Sequence, residues 1–276
     1  NIFLDLIMVV GLKLGIVGAA LATDISQLIS CIFIWGFLIR SEEVYKLKIR
    51  EIRCYDHLLS KIIRIGIPTG IQNIVISLSN LIVQASVNSF GATVMAGFAA
   101  YIKIDGFNIL PVLSISMAAT TFAGQNIGAG KADRVRKGMY ISTAMGAGYS
   151  VITGIVLLIF APQVIGVFTT NHKVVEYGVY IMKYFCPFYF LLGIMHSLAG
   201  TIRGTGKTVP PMVVMLLALC LFRILWIQFV VPHFTSIDII YVLYPVSWAV
   251  GMVLMLIYAW KGNWMPKKYQ NINQTV

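Results

Sequence analysis

Charge is scarce in this sequence. Lys and Arg number 21 and Asp and Glu only 10, together 11% of 276 residues, where a soluble domain carries roughly a quarter. With 58% of residues hydrophobic, such a chain cannot cover itself with a polar surface, and its expected solvent is the lipid bilayer. Cysteine is also sparse: Cys31, Cys54, Cys186 and Cys220 show no paired spacing of the zinc or redox kind, and membrane packing accounts for them. His57, His172, His196 and His233 are equally scattered, so no metal site is readable. The chain opens without an initiator Met, a basic n-region or a cleavage site, so its first segment is not expected to be a signal peptide. The expectation is an incomplete protein whose N-terminal part is missing.

What the sequence has in quantity is apolar runs of about 20 residues, the length that crosses roughly 30 Å of hydrocarbon. Seven are expected, near Gly15 to Leu38, Ile62 to Val87, Val94 to Phe122, Gly138 to Ala161, Val174 to Ile202, Val209 to Val231 and Ile237 to Trp260, after a truncated segment from Asn1 to Val10. Pro68, Pro111 and Pro187 fall inside three of these spans, where bent helices commonly mark transport sites.

The net charge of +11 is distributed by side. Sixteen of the basic residues lie in one set of alternate loops and the tail, two (Lys13 and Lys173) in the opposite loops, and Lys103, Lys183 and Arg223 within spans. That asymmetry is a sidedness signal rather than a nucleic-acid patch, and it predicts a cytoplasmic C-terminus. The stretch "GTIRGTGKTVPP", Gly200 to Pro211, ends like a nucleotide-binding P-loop but lacks the glycine required at position 201. It reads as a tight cytoplasmic hairpin with Pro210 opening the next span, and no ATP binding is expected.

Ionisable groups in hydrocarbon cost several kcal/mol each unless they face a partner or a wet cavity. Asn1 and Asp5 stand four residues apart on one helix face, and Thr23, Asp24, Ser26 and Gln27 add oxygen donors on the next span. Such a set suits sodium or a proton-binding carboxylate. Lys103 and Asp105 share a span but, two residues apart, point about 200 degrees away from each other. Asp105 shares its face with Tyr101 and Asn108, leaving Arg223 and Lys183 as candidate counter-charges. Asn73, Ser77, Asn80, Gln84 and Asn88 recur at helical spacing and form one polar face, as a cavity lining requires. Tyr184, in the aromatic run "YFCPFYF", completes the candidate substrate contacts.

Assembled, the segments "NIFLD…GLKLGIVGAALATDISQ", "GIPTGIQNIVISLSNLIVQ", "YIKIDGFNILPVLSISMAATTFAGQNIGAGKADRVRKG" and "AGTIRGTGKTVPPMV…FRI" resemble the Multidrug and Toxic Compound Extrusion (MATE) family of cation-coupled efflux transporters. The resemblance implies an all-α polytopic membrane protein, a helical bundle comprising the last two helices of an N-lobe and a complete six-helix C-lobe. It divides the chain into residues 1–40 (end of the N-lobe), 41–60 (cytoplasmic connector), 61–262 (C-lobe) and 263–276 (cytoplasmic tail). It also assigns Asn1, Asp5 and Thr23 to the coupling-cation site of one branch of the family. Other members use a Glu on the seventh helix and an Asp on the tenth, and the spans from Ile62 to Val87 and from Leu191 to Ile202 have no carboxylate.

The function expected is therefore secondary antiport, export of amphipathic or cationic organic compounds against inward flow of Na+ or H+, with no cofactor beyond the coupling ion, no ATP and no nucleic acid. A flippase for lipid-linked sugars is the near alternative, though it favours cavities rich in Arg and Lys and only three cations lie in spans. A membrane enzyme lacks any nucleophile-base pair or paired carboxylates here. A non-transporting scaffold would make Asp5 and Asp105 a costly redundancy, whereas a membrane fragment that does not transport alone, because most of the N-lobe is absent, stays an alternative.

Overall fold

In lipid every backbone N–H and C=O must be satisfied within the protein, which for apolar runs of this length means helix. The computed structural model describes residues 1–42, 46–49, 53, 55–234 and 236–265, and among these the secondary structure is all helical. Seven helical segments are long and apolar enough to cross a membrane: Gly15–Arg40, Ile62–Asn88, Ala92–Gly128, Ala132–Ile159, His172–Gly204, Val209–His233 and Asp238–Lys261. They match the seven expected from hydropathy. Residues 43–45, 50–52 and 54 of the expected connector, and the tail from 266 with Lys267 and Lys268, lie outside the described residues.

The chain divides into two compact units, residues 1–60 and 61–276. In the first, a short helix α1 (Ile2–Gly11) turns at residues 12–14 into α2 (Gly15–Arg40). Lys13 and Gly15 take positive φ, 55° and 56°, to make that turn. Gly18 lets the arms meet, because a Cβ there would stand 2.9 Å from the Met8 carbonyl oxygen.

The second unit begins in α3 (Asp56–Asn88), followed by α4 (Ala92–Gly128), α5 (Ala132–Ile159), α6 (Ala161–Gly166), α7 (His172–Phe185), α8 (Tyr189–Gly204), α9 (Val209–Leu216), α10 (Phe222–Phe229) and α11 (Asp238–Lys261). α4 runs roughly 55 Å and so continues six residues past the expected end at Phe122, since lower hydropathy does not by itself stop a helix. α3 and α4 run unbroken through Pro68 and Pro111. At Pro187 the path tightens to a 3-10 turn, Cys186–Phe188, joining α7 to α8. Between α9 and α10 a π turn, Leu217–Leu221, accommodates an extra residue. At Gly206, φ is +88° in the loop after α8, and α9 starts with Pro210 and Pro211 in its first turn, the hairpin expected there.

The core of this unit is α8. Over its most apolar stretch the α7–α8 span is 72% buried, against 11% for α3 and 17% for α5. Helices in lipid associate through close packing rather than a hydrophobic drive, which favours small residues at contacts. On one side of α8, a Cβ at Gly200 or Gly204 would overlap the carbonyl of Ser116 or Thr120 on α4. On the other, a Cβ at Gly193 would overlap the Gly146 carbonyl on α5. Hydroxyls bind the seam at the same level: Ser116 Oγ donates to the His196 carbonyl at 2.7 Å and Thr120 Oγ1 to that of Gly200 at 2.9 Å.

Gly200→Val is accordingly expected to cost on the order of 1–3 kcal/mol or more by overpacking. Gly148→Val on α5, where a Cβ meets nothing within 4 Å, should leave stability nearly unchanged. Thermal unfolding in detergent followed by tryptophan fluorescence distinguishes the two.

Candidate functional site

In the first unit, Asp5 stands where α1 passes from α to π geometry at Leu6–Gly11, and π turns recur at functional sites. Its N–H bonds the Asn1 carbonyl at 2.9 Å, and its side chain is half-buried. Met8 lies against Gly18, and Ala22, one turn farther along α2, is buried, while Thr23 beside it is exposed. The Thr23 hydroxyl donates to the Ala19 carbonyl within its own helix, at 3.0 Å, which keeps its lone pairs available as acceptors. Asp24 and Gln27 are exposed.

In the second unit, the polar groups gather around a ring cluster. Tyr101 on α4 donates to Asp105 Oδ1 at 3.1 Å, and its hydroxyl lies 2.7 Å from that of Tyr189, the first residue of α8. Phe185 stands edge-on to Tyr101 at 4.9 Å between centroids, and Tyr189 stacks on Trp248 of α11 at 5.9 Å. On either side of the turn at Pro187, Phe185 and Tyr189 both contact Tyr101 and Trp248. Asn108, one turn beyond Asp105, is buried with no hydrogen-bond partner at Oδ1.

Arg223, 4% exposed, sits two residues past the π turn. Its Nε donates to Ser247 Oγ and its Nη1 to Asn80 Oδ1, both at 3.1 Å, while the guanidinium lies 4.4 Å from the centre of the Tyr244 ring. The arginine fork thus joins α10, α11 and α3 through neutral partners, a geometry lysine cannot copy. Arg223 and Asp105 stay within electrostatic reach of each other, but the groups that hold the carboxyl are tyrosine hydroxyls. Of the two candidate counter-charges, Arg223 thus bonds neutral groups rather than the Asp105 carboxyl.

The polar stripe on α3 keeps its single face. The packed seam of the helix is Gln72, Ser79, Val83 and Val87, and Asn73, Ser77, Asn80, Gln84 and Asn88 lie one position round from it. Four of the five are exposed and Gln84 partly so. Gln84 Nε2 donates to Asn88 Oδ1 at 3.0 Å, and Asn80 takes the Arg223 bond.

Two other candidates lie apart from the ring cluster. Lys103 is exposed, with its ammonium 5.6 Å from the Phe168 ring centre, because two residues of helix turn it away from Asp105. Lys183 lines a cavity of about 830 Å³ at the end of the bundle opposite the basic loops, together with Lys173, Glu176, Tyr177, Tyr180 and Asp238. There Tyr180 donates to Asp238 Oδ1 at 2.8 Å, and its hydroxyl is 3.2 Å from that of Tyr184.

Sequence reasoning missed Tyr189, Tyr244, Ser247 and Ser79. Ser79 Oγ donates to the Leu219 carbonyl inside the π turn at 2.8 Å, an acceptor that apolar periodicity does not reveal. Tyr189 did carry a signal, its place two residues after an intramembrane proline. Tyr101→Phe removes a hydroxyl shared by two buried groups and is expected to cost about 1–3 kcal/mol. Tyr149→Phe, whose bond to the Asn108 carbonyl is 3.5 Å long, should cost less than about 0.5 kcal/mol. Denaturant titration of the detergent-solubilised chain measures both.

The family model MatE matches residues 68–227. The probable multidrug resistance protein NorM of Thermotoga maritima is 30% identical over 232 residues, covering 81% of this chain and 49% of that protein. The probable multidrug resistance protein YoeA of Bacillus subtilis is 27% identical over 277 residues, covering 95% and 59%. The multidrug export protein MepA of Staphylococcus aureus is 25% identical over 209 residues, covering 75% and 46%. The chain spans about half the length of the curated relatives it matches. Among solved structures, MATE in complex with MaL6 superimposes with a TM-score of 0.86 at 18% identity, covering 94% of this chain and 59% of the other. The outward-facing conformation of a multidrug resistance MATE family transporter gives 0.84 at 20%, covering 95% and 58%. At these identities the structures bear on the fold alone.

Proposed function

Because the chain belongs to the MatE family of multi-pass membrane transporters, we propose that it is part of a secondary active multidrug antiporter, exporting amphipathic or cationic compounds in exchange for Na+ or H+. On this reading residues 1–40 close an N-lobe, 41–60 connect the lobes on the cytoplasmic side, 61–262 form the C-lobe, and the tail from 263 is cytoplasmic in the cell membrane.

The observation that carries the proposal is Asp5, a half-buried carboxyl in an apolar helix, set where that helix changes from α to π. A carboxylate, an amide and a threonine oxygen make a hard, oxygen-only donor set. The coupling cation, sodium or proton, neutralises Asp5, and the lobes then exchange outward-open and inward-open states. Only differential affinity for the two states is needed, a few kcal/mol. No nucleotide enters the cycle.

The substrate contacts are the exposed stripe Asn73, Ser77, Asn80, Gln84 and Asn88, with Asn80 anchored by Arg223, and the Tyr101–Asp105–Asn108 face. Aromatic rings beside a carboxylate favour organic cations over anions. Tyr184, bonded to Tyr180 at the edge of the 830 Å³ cavity, extends this surface toward the exit; that volume is within the roughly 300–1,000 Å³ of drug-sized sites.

The test is accumulation of a fluorescent cationic dye in vesicles containing the complete transporter under an imposed sodium or proton gradient. Asp5→Asn is expected to cut gradient-driven accumulation by about tenfold or more, while Asp105→Asn changes the preference between cationic and neutral dyes. Accumulation that survives Asp5→Asn with its ion dependence intact would remove the mechanism.

A further inference from the structure

At the basic end of the second unit, two helices change character at the same depth. α5 opens with Lys131, Arg134, Arg136 and Lys137, then presents Tyr140 and Ile141, 64% and 61% exposed, and Met145 beyond them. α11 presents Val253 and Ile257, then Trp260, 79% exposed, and ends at Lys261. Aliphatic, then aromatic, then basic is the order of groups crossing from hydrocarbon through the interface to water.

Between these helices lies a cavity of about 390 Å³, with Arg136 and Tyr140 on one wall, Trp260 on the other, and Gly262 and Asn263 at the base. Its back is a fixed turn. Gly262 N–H bonds the Tyr258 carbonyl at 2.8 Å, Trp264 Nε1 bonds that of Ala259 at 2.7 Å, and the Trp264 carbonyl accepts from Thr205 Oγ1 at 3.0 Å. A side chain on Gly262 would press into the Tyr258 carbonyl, so only glycine allows the chain to fold back here. Trp264 and Met265 are thereby buried as the floor. Among the described residues, Arg136 is the charged residue that lines the cavity. Lys137 and Lys261 flank it on the two helices, and Asp133 is exposed one turn back on α5.

We propose that this pocket binds the phosphate-bearing headgroup of an anionic phospholipid, with its acyl chains lying along the exposed aliphatic faces of α5 and α11. Arg136 supplies a planar fork for phosphate oxygens. Tyr140 and Asn263 supply neutral donors, and the Tyr140 and Trp260 rings sit at the glycerol level, where amphipathic aromatics are favoured. A basic pocket between helices at the membrane surface has the chemistry that selects anionic lipid. Its opening onto apolar faces favours a lipid over a free phosphate. The site depends on neither the direction of transport nor the coupling ion.

Native mass spectrometry of the purified full chain tests this, with dioleoylphosphatidylglycerol, dioleoylphosphatidylcholine and soluble glycerol phosphate as probes. Expected is preferential retention of phosphatidylglycerol, reduced about fivefold by Arg136→Gln and unchanged by Lys131→Gln, which removes the same charge outside the pocket. Equal retention of the two lipids, equal loss in both variants, or displacement by glycerol phosphate at matching concentration would each overturn the proposal. A second measurement needs no change at Arg136. Brominated phosphatidylglycerol should quench tryptophan fluorescence more than brominated phosphatidylcholine, and Trp260→Phe should remove most of the difference; equal quenching by the two lipids, or a difference that survives Trp260→Phe, counts against the site.

Discussion

The second unit depends on backbone meeting backbone along α8. Gly200 and Gly204 face carbonyls of α4, and Gly193 faces one of α5. In a bilayer apolar side chains gain little by leaving lipid for protein, so the tightest available contact decides which helices become neighbours. Once α8 is held this closely, its first residue, Tyr189, is delivered to Tyr101 of α4 and to Trp248 of α11. The ring cluster and the hydroxyl contacts to Asp105 follow from that placement.

The same logic explains the form the intramembrane charges take. A direct ion pair would need Asp105 and Arg223 to share one desolvated contact, and removing either partner would strand the other. Here each charge is surrounded by neutral hydrogen-bonding groups, tyrosine hydroxyls for the carboxyl and serine, asparagine and an aromatic face for the guanidinium. Arg223 ties three helices together, and Asn80, its partner on α3, belongs to the stripe proposed to meet substrate. Asn80 is thus one hydrogen bond away from the core of the unit.

Much of the fold was legible because hydropathy and length fix membrane helices with few alternatives. The seven spans and the glycine-proline hairpin after α8 could be read from composition and turn chemistry. Periodicity alone was enough to turn Lys103 away from Asp105 and to keep the α3 stripe on one face. Other features left no such trace. Gly193, Gly200 and Gly204 are ordinary members of apolar runs, and the carbonyls they approach belong to residues about 50 to 85 positions away in sequence. Ser79 looks like any intramembrane serine until its acceptor at Leu219 is known. The partners of Arg223 were equally hidden, since nothing local to "LFRIL" points to Asn80 or Ser247.

The π turn at Leu217–Leu221 has a consequence for how this unit tolerates change in length. An α-helical turn holds 3.6 residues, and a π turn holds one more by widening, so every residue after it is offset by about 100 degrees from where an uninterrupted helix would put it. Arg223 reaches Asn80 and Ser247 with that offset in place. Substitutions among Leu217, Ala218, Leu219, Cys220 and Leu221 that keep the segment apolar preserve the count, whereas loss of any one residue closes the turn and swings the guanidinium a quarter of the way around the helix. Hydropathy would score the two kinds of change alike, yet the arginine's direction is set by the number of residues in the turn, not by their chemistry.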